Sequence, residues 1–161
     1  MKKQVRKLLV GAACLLACAT GSIAGDTDTQ QILFDIQVVN ELVVDQASVT
    51  LTVNTATGGV PDDAFDDATT YDVTTNESDK KITVALDSDL PAGLTLEIDM
   101  EAPTGASSSP QNLSTAAVDA VTGISQVSES DLIIAYTLSV DDIAVGNVSG
   151  SRTATFTLVD E

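Results

Sequence analysis

The chain has 161 residues, with 24 acidic and 7 basic side chains and a formal net charge of −17. Four of the basic residues precede residue 8, so residues 25–161 hold three basic residues, all 24 acidic ones and a net charge of −21. Such a surface repels nucleic acid and anionic membrane, because phosphate binding needs clustered Lys and Arg, and the lack of His and Trp removes much of the usual catalytic chemistry.

Residues 1–24 have the pattern of an export signal. A basic start is followed by an apolar stretch from Leu8 to Ala19 and by the small residues of Ser22-Ile23-Ala24, which predicts cleavage after Ala24. The alternative is Leu15-Leu16-Ala17-Cys18, which resembles a bacterial lipobox and would leave Cys18 as an acylated N-terminus. The apolar stretch is shorter than the roughly 20 residues that span a membrane. We therefore expect no integral membrane segment after cleavage, and a protein outside the cytoplasm.

Residues 25–40 are predicted to be an N-terminal extension, and residues 41–161 one domain. Cleavage after Ala24 leaves no cysteine, so stability must come from burial and backbone pairing. A chain of this length buries enough surface to fold without disulfides.

Apolar residues recur at every second position along the chain, which is typical of strands with one face on a core. The first such segment is residues 31–39. The later segments are residues 49–53, 71–73, 82–86, 94–100, 132–140 and 154–158. Abundant Thr and Val add β-propensity to this pattern.

Clusters of Gly and Pro separate these segments and predict turns, for example at residues 57–61, 90–93 and 103–110. The pattern predicts an all-β, immunoglobulin-like β-sandwich of about seven to eight antiparallel strands, which a donor strand from a neighbouring copy could complete. Residues 112–121 fit either a short helix or an irregular strand.

The densest acidic segment is residues 61–72. Clustered carboxylates suit calcium, which makes a candidate calcium site of Asp62, Asp63, Asp66 and Asp67. Their spacing matches no calcium loop, however, and the alternative is a solvated acidic loop. A calcium site would suit a monomeric secreted or surface-anchored binding or adhesion module. No other cofactor is predicted.

An enzyme is not predicted. A pair of carboxylates could act as acid and base on a sugar, but the three Phe and two Tyr are too few for the aromatic platforms of such a cleft. Serine is abundant, yet no His or recognised motif is present to activate it.

Four large apolar side chains alternate in the first segment after the signal: Ile32, Phe34, Ile36 and Val38, here called the apolar row. Such a row can fill a groove in another subunit while its main chain completes that subunit's sheet. The alternative is that this segment pairs within its own domain.

The order of segments resembles that of major subunits of bacterial fimbriae of the colonisation-factor, chaperone–usher type, which polymerise by donor-strand exchange. The resemblance rests on the alternating residues 32–39, on Tyr71 to Asn76 leading into Lys80 to Leu86, on Val121 to Ser125 before the segment 132–140, and on the final residues 150–158. It is a resemblance of pattern and order across most of residues 25–161.

The resemblance implies a homopolymer, with the apolar row as the self-assembly strand. It also implies a periplasmic chaperone, an outer-membrane usher, passage through the periplasm and a final place on the cell surface. The strong acidity is a departure from the family, because neighbouring copies would repel one another unless cations screen them.

Overall fold

The computed structural model describes residues 26–161. The predicted signal, with Cys14 and Cys18, lies outside the described residues. These divide into two units, one ending at Asp35 and the other Ile36–Glu161. The first has no strand among its described residues, and the second contains the strands.

Eleven strands are present in the described chain. They are β1 (Asn40–Val44), β2 (Ala56–Thr57), β3 (Val60–Pro61), β4 (Ala64–Thr75), β5 (Lys80–Leu86), β6 (Leu94–Met100), β7 (Ser107–Ser108), β8 (Gln111–Asn112), β9 (Val118–Ile124), β10 (Val127–Val140) and β11 (Ala154–Asp160). One 3₁₀ turn, Ile143–Val145, lies between β10 and β11. No α-helix occurs in residues 26–161.

The strands form two antiparallel sheets and a small hairpin. The five-stranded sheet has the order β1-β4-β10-β6-β8, and the four-stranded sheet has the order β11-β5-β9-β7. The hairpin pairs β2 with β3. Seven of the strands have five or more residues, so the predicted all-β antiparallel sandwich is confirmed.

The core lies between the inner faces of the two sheets. The alternation in the sequence reappears as alternating burial: Ile82, Val84 and Leu86 on β5 are buried, as are Ile98 and Met100 on β6. The remaining apolar core residues are Tyr71, Val73, Leu113, Ala120, Val121, Ile124, Leu132, Ile134 and Tyr136. The two-residue period thus predicted the buried face of these strands.

Three predictions about local structure were wrong. Residues 31–39 and residues 49–53 have no assigned strand, although both alternate. The acidic segment is not a loop throughout, because β4 begins at Ala64 and contains most of it. For residues 112–121, where the sequence fits either a helix or a strand, the structure has no helix, and strand β9 begins at Val118.

Candidate assembly site

The apolar row is exposed to solvent. Its four side chains retain between 65% and 86% of their accessible surface, with Phe34 the most exposed. No strand is assigned between residues 31 and 39, so the row does not pair as a strand within its own chain. An alternating apolar segment in this state presents one face that a sheet could bury.

The unit Ile36–Glu161 contains an open groove of about 1090 Å³. Inner-face residues of both sheets line it, together with segments 46–56 and 145–153. Its apolar lining includes Val49, Leu51, Leu96, Leu138, Val140 and Phe156. The sandwich is therefore closed around the buried core and open beside these residues.

The groove explains why several alternating residues are only half-buried. Leu96, Leu138 and Phe156 lie on the inward face of their strands, yet each remains partly exposed. Each pairs in register with neighbouring strands, for example Leu138 with Leu96. The side chains at these positions are apolar, as in a core, but no other part of the described chain covers them. This favours an additional strand that packs over them.

Two backbone edges beside the groove lack a strand partner in the described structure. β11 is an edge strand, hydrogen bonded to β5 on one side only. Across the groove, residues 48–53 form no ladder, although Val49, Leu51 and Val53 turn inward. An edge with free N–H and C=O groups is a template for an added strand.

One end of the space between β1 and β11 is closed by polar side chains, here called the clasp: Asn40, Glu77, Lys80 and Asp160. Lys80 Nζ lies 2.6 Å from Glu77 Oε2 and also forms an ion pair with Asp160. Asn40 Nδ2 donates to the same Glu77 oxygen at 2.6 Å. The clasp thus links the start of β1 to the end of β11, at the end away from the groove.

Hydrogen bonds within the clasp shift the pKa values of Glu77 and Lys80. The hydrogen bond from Lys80, followed by that from Asn40, lowers the pKa of Glu77 below its ordinary value. The hydrogen bond to Asp160, followed by that to Glu77, raises the pKa of Lys80. Both shifts favour the charged forms, so the clasp is an ion pair at neutral pH.

Polar contacts also fix the loops around the groove. Asp87 Oδ1 accepts from Thr153 N–H at 3.1 Å, and Asp89 Oδ1 accepts from Thr115 N–H at 2.9 Å. These bonds lower the pKa of both carboxyl groups. Arg152 donates from Nε and Nη2 to the Asp89 carbonyl at 2.9 and 2.7 Å. These bonds tie the loop after β5 to Arg152 and Thr153, which line the groove.

The lining of the groove includes the polar side chains of Tyr136 and Thr69. Burial, followed by the charge of Asp66, raises the pKa of Tyr136 to about 12. Thr69 is 1% exposed, and its hydroxyl has no hydrogen-bond partner in the described structure.

The four candidate calcium residues do not assemble into a site. Asp66 and Asp67 lie on β4, where the pairing with β10 shifts register, while Asp62 and Asp63 precede the strand. Within residues 26–161, no group of three or more His, Cys, Asp or Glu side chains is arranged to hold a metal ion. The geometry gives no support to the candidate calcium site.

Sequence reasoning missed β1, the groove and Asn76. β1 has only three consecutive apolar residues, Leu42 to Val44, and no clear alternation. Asn76 directly follows β4, which ends at Thr75. Its side chain binds residues 37 and 39, a contact across 37 residues of sequence that no local pattern encodes.

No family model, curated protein or solved structure matches the chain. The fimbrial resemblance stays a prediction. No helix among the described residues has the length and apolarity to cross a membrane.

Proposed function

We propose that the protein is a structural, non-enzymatic subunit of an extracellular fibre, in which the apolar row of one copy fills the groove of the next. The observation that supports this most is the pairing of two incomplete features in one chain. The groove is apolar and uncovered, and the row supplies four exposed apolar side chains. The groove lacks apolar side chains to cover it, and the row lacks an apolar surface to pack against.

The chemistry of the two surfaces is complementary. Four alternating side chains occupy about 20 Å of extended chain, comparable to the seven residues of β11 beside the groove. Each large apolar side chain contributes about 1.5–3 kcal/mol when it becomes fully buried. The free edge of β11 would add main-chain hydrogen bonds, and the side chains would set the register.

Assembly outside the cell belongs to the same proposal. The export signal predicts the route, and the resemblance supplies the periplasmic chaperone and the outer-membrane usher as partners. An uncovered apolar groove is prone to non-specific aggregation during export. A chaperone that covers the groove would prevent this aggregation. The competing proposal of a monomeric calcium module has no comparable support, since its acidic loop is largely strand β4.

The test compares two adjacent and equally exposed residues. Leu33 is 83% exposed and Phe34 86%, but only Phe34 belongs to the apolar row. In an inserted strand Leu33 would point to the opposite side. We expect Phe34→Ser to abolish fibres of the exported full chain in negative-stain images, and Leu33→Ser to leave them. Equal loss in both variants, or no fibres from the wild type, would refute the proposal.

A peptide gives an independent measurement. A synthetic peptide of residues 30–39 should bind the groove of the Phe34→Ser chain and raise its melting temperature with peptide concentration, because a ligand of the folded state stabilises it. The same peptide carrying Ser in place of Phe34 is the control. No shift with either peptide would contradict insertion at the groove.

A further inference from the structure

Asn76 holds the segment before β1 by three hydrogen bonds, here called the Asn76 contact. Its Oδ1 accepts from Val39 N–H at 2.9 Å, and its Nδ2 donates to the Gln37 carbonyl at 2.8 Å. Its backbone N–H donates to the Val39 carbonyl at 3.2 Å. The side-chain amide therefore offers the donor and the acceptor that a neighbouring strand would offer, and keeps residues 37–39 extended.

The contact lies at the far end of β1 from the groove. Asn40 pairs with Thr75, next to Asn76, whereas the lining of the groove begins at Val44. None of residues 36–43 lines the groove. The five residues of β1 place about 16 Å of extended chain between the Asn76 contact and the groove.

Insertion of the row into its own groove would require the chain to reverse just before β1. The shortest reversal between antiparallel strands uses two turn residues. Because Val38 is the last member of the row, these would have to be Val39, which Asn76 binds, and Asn40, which pairs with Thr75 in β1. A returning segment would also lie first beside β1, where the clasp joins β1 to β11.

Assembly between copies requires a barrier to insertion of the row into its own groove. A segment tethered to its own groove has an effective concentration in the millimolar range, well above that of a second copy in dilute solution. Without a barrier, self-insertion would outcompete assembly and give closed monomers.

We infer that Asn76 is a positioning residue that keeps the apolar row out of its own groove, so that the groove receives the row of a second copy of this chain. This inference rests on the proposed function. It adds the residue that favours insertion of the row into the groove of another copy over insertion into the groove of its own chain.

Disulfide trapping separates these two outcomes. In the exported full chain with Cys14→Ser and Cys18→Ser, Ile36→Cys is combined in turn with Leu138→Cys and Phe156→Cys, two residues that line the groove. With Asn76 present we expect a ladder of cross-linked multimers on non-reducing gels. With Asn76→Ala we expect a severalfold rise in internally cross-linked monomer at the expense of the ladder.

Two further variants make the result decisive. Asn112→Ala removes an exposed Asn from β8 and should leave the ladder unchanged. Four residues, Gly-Asn-Gly-Ser, inserted between Val39 and Asn40 supply the missing turn and should give closed monomers. Melting curves check that every variant is folded.

The outcomes for this inference and for the proposed function differ. A ladder in Asn76→Ala equal to that in Asn112→Ala, or a ladder that persists after the insertion, overturns the role of Asn76 alone. The absence of both ladder and closed monomer in the wild-type background overturns the proposed function, and this inference with it.

Discussion

Two buried threonines on β4 differ in their hydrogen bonding. Thr69 is 1% exposed and its hydroxyl has no partner among the described residues, whereas Thr75 is 2% exposed. The Thr75 hydroxyl donates to Asn40 Oδ1 at 2.6 Å and accepts from Glu77 N–H at 3.1 Å. The two positions therefore differ in chemistry while sharing a strand, a face and a degree of burial.

We expect Thr69→Val to raise the free energy of unfolding by about 1 kcal/mol, because an unpaired buried hydroxyl is replaced by a methyl of the same shape. Thr75→Val should lower it by about 1–2 kcal/mol, because Asn40 and Glu77 each lose a partner. Urea titrations of both variants in a Phe34→Ser background, which keeps the chain monomeric, measure the difference. Equal changes of the same sign would contradict the assignment.

Glu77 gives the clasp a pH dependence. Its pKa is lowered in the folded chain by Lys80 and Asn40, so it contributes stability above its unfolded pKa of about 4.3 and loses that contribution as pH falls through the folded value. We expect Glu77→Gln to be less stable than the wild type at neutral pH. It should also lose less stability between about pH 5 and 3.

Denaturant midpoints at several pH values test this prediction. Glu41→Gln is the matched control, since it removes the same charge from an exposed position on β1. If the wild type and Glu77→Gln lose stability in parallel, Glu77 has no part in the acid sensitivity.

At the scale of elements, the sandwich has a closed part and an open part. Ile82 on β5 is fully buried, whereas Leu138 on β10 is half-buried and lines the groove. Both occupy the inward face of a long strand. The same alternation in the sequence thus leads to two different environments.

Truncation of Ile82 should mainly lower folding stability, whereas truncation of Leu138 should mainly lower fibre yield. In the Phe34→Ser monomer, Ile82→Ala should cost about 2–5 kcal/mol of folding free energy, because a cavity remains in a packed core. Leu138→Ala should cost about 1 kcal/mol, because much of its surface is already in water. In chains with Phe34 intact, Leu138→Ala should instead reduce fibre yield. Denaturation and sedimentation assays measure both, and an equally large loss of stability from Leu138→Ala would contradict an open groove.

The strands that the sequence predicted best are β5, β6, β10 and β11. Each follows its alternating pattern and pairs along its length with at least one long neighbouring strand. Residues 31–39 and 49–53 alternate as clearly but form no strand. Alternation predicts that one face suits a core, and only a hydrogen-bonding neighbour turns such a segment into a strand.

At the scale of the whole molecule, charge opposes assembly. Residues 26–161 hold all 24 acidic residues and three basic ones, and Lys80, Lys81 and Arg152 are already engaged within the chain. Copies brought into contact therefore repel each other. The Debye length falls from about 30 Å at 0.01 M salt to about 8 Å at 0.15 M.

We expect the rate of fibre formation to rise steeply as NaCl increases over this range, because screening lowers the repulsion between copies. Light scattering of the exported chain follows the rate. Calcium chloride at equal ionic strength separates screening from cation bridging, since screening alone gives nearly the same rate with both salts. A rate that falls with added NaCl would show that attraction between charges drives the association.

The sequence by itself determined the all-β class, the inward faces of the central strands and the alternation of the apolar row. These follow from a two-residue period and from composition, which act locally. Only the tertiary structure decided that β1 forms, that segment 49–53 stays unpaired and that the inner faces leave a groove. It also decided that Asn76 meets residues 37 and 39. These features depend on which edges and side chains, distant along the chain, come into contact, and a local pattern carries no information about such contacts.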